Sequence, residues 1–318
     1  MQDRIIQFLK QNENYLSGEE ISRSLNISRA AIWKHMQELK RNGYDIAAVP
    51  HLGYRLVASP DKLFPGEIQF ELGTKILGKN IVYEDTVPST MDVAFQLGMK
   101  GAAEGTVVCA ESQTRGRGRL GRTWASPKGK GIYFSILLRP KLPLLEVAKL
   151  TLLCGVAVSD AIKKVTGLEV NIKWPNDILV ENKKLAGILT ELNAEMDRVK
   201  FVVVGIGLNV NTPGSHLPEG ATSLKNETKQ TFSRVIVFQE ILREIEKWYL
   251  ETHREGFSSL LQRWKELSVT LGKWVKVTDP SGKYEGEAVN IDEDGGLLIR
   301  QDSGVVVKKM AGDVVVVH

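Results

Sequence analysis

The chain has 318 residues, 42% of them hydrophobic and 25% charged, with a formal charge of +4. That length supports a sizeable core spread over two or three domains, and the composition excludes a disordered or collagen-like chain. No run approaches the roughly 18 to 20 apolar residues of a membrane helix, and the start MQDRIIQFLK lacks a secretory apolar stretch, so a cytoplasmic protein is expected.

Ile5, Ile6, Phe8 and Leu9 repeat with helical period and open a first unit running to about residue 57. Ser17-Gly18-Glu19-Glu20 is a capping box starting a second helix, and Asn26-Ile27-Ser28 breaks that helix and caps a third. Two helices joined by so short a turn predict a helix-turn-helix. Tyr44–Val49 and Gly53–Val57 flank Pro50-His51-Leu52 and predict a basic-tipped hairpin, a wing.

In the third helix Ile32, Met36 and Leu39 turn inward. Ser28 at its start, and Arg29, Ala30, Trp33, Lys34 and Gln37 on the outward face, stand where a recognition helix meets DNA. Residues 1–60 carry eight Lys or Arg against six Asp or Glu, so pattern rather than charge argues for DNA. The segment 58–66, ASPDKLFPG, is the best linker in the chain and places the first boundary, with domains over 1–60, 67–270 and 271–318.

From 67 to 270 strand-like runs alternate with helical patterns: 106–110, 131–138, 147–165, 178–180, 185–192 and 201–210, then helices over 232–250 and 257–267. That mixture means α+β or α/β. After Gly272 short β-rich runs between the turn clusters 279–282, 292–296 and 302–304 predict a small antiparallel barrel. Cys109 and Cys154 lie in apolar segments outside any CxxC pair and are expected as core thiols, with no disulfide or metal site.

The most informative stretch is Gln113-Thr114-Arg115-Gly116-Arg117-Gly118-Arg119-Leu120-Gly121-Arg122-Thr123-Trp124, four arginines interleaved with three glycines. Glycines let a backbone approach phosphate or carboxylate oxygens, and guanidinium groups clamp them two bonds at a time. Strands on both sides make this a loop held in a folded sheet, and it matches neither GxxxxGK[ST] nor a helix-opening GxGxxG.

Together with Ser89-Thr90, KWPND at 173–177, KKLAG at 183–187 and GIGLNVN at 205–211, this loop resembles the biotin protein ligase family over essentially the whole chain, and the wing in front resembles its bifunctional repressor branch. The resemblance implies an α+β protein with an N-terminal winged helix, a central mixed-sheet ligase domain and a C-terminal SH3-like barrel. It implies a biotin site from Ser89, Thr90, Met91, Gln113, Arg117, Gly118, Arg119, Lys184, Gly187, Gly205 and Gly207. It implies an ATP side from Arg119, Arg122, Trp124, Lys173, Asn176 and Asn209, with Asn209 also near Mg2+ and Asp177 shaping the floor. Lys184 and Arg119 are the implied catalytic pair: a carboxylate meets the α-phosphate of ATP, and a fixed cation relieves the repulsion. Met91, where a polar residue is expected after Ser-Thr, and Arg115 depart from the pattern.

The implied activity is formation of biotinyl-5′-AMP and transfer of biotin to a lysine of the biotin carboxyl carrier protein. Occupation of operator DNA by an adenylate-loaded homodimer would repress genes of biotin supply. A regulator that only senses biotin, and a lipoate ligase, remain as alternatives.

Overall fold

The structure, a computed structural model, describes residues 1–196 and 198–317 and divides into two compact units, Met1–Leu72 and Gly73–His318. The first unit contains α1 (Gln2–Lys10), α2 (Gly18–Leu25), α3 (Arg29–Arg41), the antiparallel pair β1 (Asp45–Val49) and β2 (Gly53–Ala58), and α4 (Pro65–Gln69). Local chemistry sets the helix starts. Ser17 Oγ accepts from the Glu20 amide at 3.1 Å while Glu20 Oε2 accepts from the Ser17 amide at 2.7 Å. Asn26 ends α2 in the left-handed region, and Ser28 Oγ then accepts from the Ala31 amide at 3.2 Å.

Ile5, Ile6, Leu9, Ile21, Ile32, Met36 and Leu39 form one buried cluster joining the three helices. Truncating Ile32 or Met36 to alanine removes about 2–5 kcal/mol from a core packed this closely. At the wing, His51 is left-handed and exposed beside Leu52, which is 54% exposed, and Arg55 lies 4.9 Å over the Tyr15 ring.

The expected linker is folded onto the first unit. Lys10 Nζ pairs with Glu67 Oε2 at 2.6 Å, the Gly66 amide donates to Asp3 Oδ1 at 2.9 Å, and Phe64 stacks on Tyr44. Proline, glycine and charge look solvent-facing in a local window, but Leu63 and Ile68 are fully buried and Glu67 finds its cation 57 residues earlier. A boundary after Leu72 follows from those contacts.

The second unit is built on a seven-stranded mixed sheet. Its strands are β3 (Ile81–Glu84), β4 (Val107–Ala110), β5 (Gly131–Leu138), β6 (Asn171–Lys173), β7 (Asp177–Val180), β8 (Lys183–Glu195) and β9 (Arg198–Asn209), in the order β3-β4-β5-β9-β8-β7-β6. Among the described residues only β3 and β4 run parallel. Between strands lie α5 (Thr90–Met99) and α6 (Ala148–Thr166); α7 (Leu224–Thr228), α8 (Arg234–Glu255) and α9 (Ser258–Leu267) follow the sheet.

Helix α6 covers the face carrying Ile172 and Ile188, with Gly155 in contact with both side chains: a Cβ there would sit 3.4 Å from Ile172 Cδ1, an ordinary contact. Because strand residues alternate between faces, Gly187, Gly205, Gly207 and Asn209 belong to the opposite face. A buried ion pair, Arg234 to Glu111 at 2.8 Å, fastens α8 to the end of β4.

The chain closes with β10 (Trp274–Asp279), β11 (Gly282–Ile291), β12 (Leu297–Arg300), β13 (Val306–Lys309) and β14 (Asp313–Val316). They form an antiparallel sheet in the order β13-β12-β11-β10-β14. Among the described residues no ladder joins β13 to β14, so the pairing is an open sheet rather than a closed barrel; after β13 the chain crosses to the far edge and pairs with β10. Trp174 is buried and its Nε1 donates to Gly295 O at 3.2 Å, locking the segment between β6 and β7 to this sheet. Both cysteines are free and buried, and burial pushes the Cys154 thiol up to about 12. Among the described residues no helix is long and apolar enough to cross a membrane.

Candidate active site

The arginine-glycine stretch is an ordered turn rather than a slack loop. The Trp124 amide donates to Gly116 O at 2.8 Å and the Gly118 amide to Arg122 O at 2.7 Å, folding residues 116–124 back on themselves. Leu120 at the tip is left-handed and 68% exposed. This turn forms one wall of a cleft enclosing about 180 Å³, whose floor is the glycine-bearing face of β8 and β9 and whose end is the start of α5.

Polar side chains close that end. The Thr90 amide donates to Gln113 Oε1 at 2.9 Å, the Thr90 hydroxyl meets Ser135 Oγ at 2.8 Å, and Gln113 Nε2 donates to Ser126 Oγ at 3.0 Å. Ser89 caps α5 by accepting from the Met91 amide. The bonds fix the Gln113 amide and leave a short row of donors and acceptors for a polar ring.

The cations sit along the opposite stretch, each with a partner from this chain. Arg117 reaches Asp92 and Glu191, both at 3.0 Å. Arg119 donates to Asn176 Oδ1 at 3.0 Å and to Gly312 O at 3.1 Å. Arg122 grips Asp313 with two bonds, and Lys184 Nζ lies 2.6 Å from Asp177 Oδ1. That Asp177 oxygen is buried and has no aligned hydrogen bond, so the lysine neutralises it without fully satisfying it. Burial pulls the Arg119 guanidinium down, opposed by Asp177 and Asp313; Arg122 holds the Asp313 carboxyl below its ordinary value.

Trp124 lies on the strand floor, its ring 5.5 Å from Lys184 Nζ, with a buried indole Nε1 that has no partner among the described residues. A Cβ at Gly207 would come within 2.4 Å of that indole, so the glycine is the seat for the ring. Asn209 is buried, and its Nδ2 donates to Thr222 O at 2.9 Å.

Comparison with known proteins assigns the family. A bifunctional ligase/repressor BirA of Bacillus spizizenii is 41% identical, covering 95% of this chain and 94% of that protein. The chain belongs to the biotin protein ligase family. Within it, residues 83–209 match the Biotin/lipoate A/B protein ligase family, 2–55 an HTH domain and 270–317 the Biotin protein ligase C terminal domain. The bifunctional ligase/repressor BirA of Escherichia coli is 31% identical over 95% of this chain and 93% of its own. The structure of a biotin protein ligase from Aquifex aeolicus in complex with biotin and ATP superposes with a TM-score of 0.64 at 33% identity, over 74% of this chain and 98% of that one.

For this ligase-family chain, the structure brings Ser89, Thr90, Met91, Gln113, Arg117, Gly118, Arg119, Arg122, Trp124, Asn176, Lys184, Gly187, Gly205, Gly207 and Asn209 to one cleft. Lys173 does not line it; it stands at the end of β6, and its charge helps lower the Asp313 carboxyl. Ser28, Arg29, Ala30, Trp33, Lys34 and Gln37 lie on α3 and its cap in the other unit, and Trp33 is 60% exposed. Sequence reasoning missed Asp313, which lines the cleft 191 residues after its arginine partner, and Leu217, Pro218 and Ala221, which close one side. No local pattern marks Asp313; its only signal is a position next to Gly312 in the short turn before a strand.

Proposed function

We propose that this chain activates biotin with ATP to give biotinyl-5′-AMP and pyrophosphate, then transfers biotin to a carrier lysine, and that its winged helix represses transcription from operator DNA. The observation that carries the first part is the meeting of the arginine-glycine turn and Lys184 in one cleft. In this reading the fused ring lies at the Thr90–Gln113 end and its carboxylate points to Arg119 and Lys184. A carboxylate oxygen attacks the α-phosphorus and pyrophosphate leaves. Lys184 and Arg119 lower the repulsion between the two anions and stabilise charge growing on the phosphoryl oxygens. Arg122 and Trp124 serve the nucleotide, the indole as a stacking surface.

The acceptor amine then attacks the acyl carbon and AMP departs. The amine proton passes to solvent, while Asp177 holds the Lys184 ammonium in place. Among the described residues no cluster of three or more His, Cys, Asp or Glu could cage a metal. A Mg2+ arriving on the triphosphate would take the Asn209 side-chain oxygen as a protein donor and would neutralise phosphate charge.

On α3, Arg29 and Lys34 meet phosphate or guanine while Ala30 allows close approach. The carrier protein, operator DNA and a second copy of this chain in the adenylate-loaded state are the partners this reading requires, and the C-terminal sheet is an SH3-like roll that presents Asp313. Biotin-dependent exchange of labelled pyrophosphate into ATP tests the activity. The wild type is expected to exchange, and Lys184→Ala to lose about 10²–10³-fold. A Lys184→Ala protein that exchanges at the wild-type rate refutes the role of the lysine.

A further inference from the structure

Strand β9 presents Gly205 and Gly207 to the cleft on one face, and each is occupied by a side chain brought from outside the sheet. A Cβ at Gly207 would strike Trp124, and a Cβ at Gly205 would come within 2.4 Å of Met91 Sδ. The two occupants are held differently. Trp124 rides on the arginine-glycine turn, is only half-buried and keeps an indole nitrogen without a partner among the described residues. Met91 belongs to the first turn of α5, is 3% exposed and packs with Ala94, Val108, Leu137, Phe201 and Val203. It is the fixed end of the slot.

Beyond Met91 there is no depth to gain, because the thioether fills the space that Gly205 leaves open. In the other direction Gly187 faces Gly207 in the ladder, and Lys184 Nζ stands 3.3 Å from where its Cβ would be. The glycine seats under the thioether wall and the ammonium are thus two residues apart along the strand and one strand apart across the sheet, about 8 Å on the diagonal. A rigid stop at one end and a fixed cation at the other form a ruler for an acid whose ring and carboxylate are joined by an alkyl chain.

We propose that Met91 is a specificity-determining residue that sets the side-chain length of the acid this enzyme activates. The proposal rests on the adenylation reading above. The ring end abuts the thioether, and the carboxylate then reaches Lys184 and Arg119 only when the chain has the right number of methylenes. One methylene more drives the ring against a wall anchored in the core, or carries the carboxylate past the position from which it attacks the α-phosphorus.

The test measures acid-dependent pyrophosphate release by wild type, Met91→Ala, Met91→Val and Met91→Leu with biotin and with homobiotin, which has one extra side-chain methylene. Wild type and Met91→Leu are expected to prefer biotin by about 10-fold or more in kcat/KM, the usual worth of one misplaced methylene. Met91→Ala opens the seat over Gly205 and shifts that ratio toward homobiotin by about 10-fold, with Met91→Val shifting it the same way by less. The ratio is insensitive to the fraction of enzyme that folds, so a merely structural methionine leaves it unchanged. Shortened variants that lose activity equally toward both acids overturn the stop alone; a wild type that releases pyrophosphate with neither acid overturns the activity and the stop with it.

Discussion

Arg29 and Lys34 on α3 make no ion pair or hydrogen bond among the described residues, whereas Arg117, Arg119, Arg122 and Lys184 are each engaged by an acceptor of the same chain. Free cations on a helix face suit an extended polyanion, because they can meet phosphates wherever these fall and the gain comes from released counterions. Cations held by Asp92, Asn176, Asp313 and Asp177 suit a small ligand, because their positions are fixed before it arrives and binding exchanges one acceptor for another. The same two residue types therefore point to different partners according to what already neutralises them.

The largest effect expected from breaking this contrast is at Lys184. Its replacement by alanine removes adenylation by the two to three orders of magnitude given above and leaves DNA affinity measured without biotin unchanged. Next comes the helix. Arg29→Ala and Lys34→Ala each weaken operator binding by about 10-fold and reduce the slope of log affinity against log salt by about 1, with pyrophosphate exchange unaffected. Fluorescence anisotropy over a salt series reads both quantities, and an unchanged slope removes these two residues from the interface.

A smaller effect belongs to the tether between the turn and the C-terminal sheet. Asp313→Asn releases Arg122 from its carboxylate and is expected to change the KM for ATP by no more than about fivefold, since exposed ion pairs are weak. Arg122 lowers the Asp313 carboxyl from its ordinary 3.8, so the tether is present at neutral pH and is lost only as pH falls through that depressed value. Over pH 6 to 9 the variant and the wild type should therefore differ by a constant factor. Smallest of all is the response to thiol reagents: with its thiol raised to about 12 by burial, Cys154 stays unlabelled at neutral pH until the fold opens, as followed by absorbance with a chromogenic disulfide.

Much of this was legible in the residues. Ser17, Asn26 and Ser28 mark the helix ends because capping is a bond between neighbours, and Gly131–Leu138 reads as a strand because it is buried on both faces. The run Gln113–Trp124 announces an anion site by composition alone. What stayed hidden depends on separation along the chain. Glu67 looks exposed until Lys10 is placed beside it, and Asp313 looks like any surface acid until Arg122 is brought across 191 residues. Met91 looks like a simple departure from a motif until Gly205 is seen beneath its sulfur. The wing tip exposes His51 beside the apolar Leu52, so its composition alone does not tell which of them meets a partner.

The central claim is that the cleft joins a carboxylate oxygen to the α-phosphorus of ATP. Biotin carrying 18O in both carboxylate oxygens, turned over with ATP and the carrier domain, tests it by mass spectrometry of the released AMP. Attack through the carboxylate leaves one 18O on AMP and one in the new amide. AMP without label, from a reaction that has biotinylated the carrier, would contradict the mechanism.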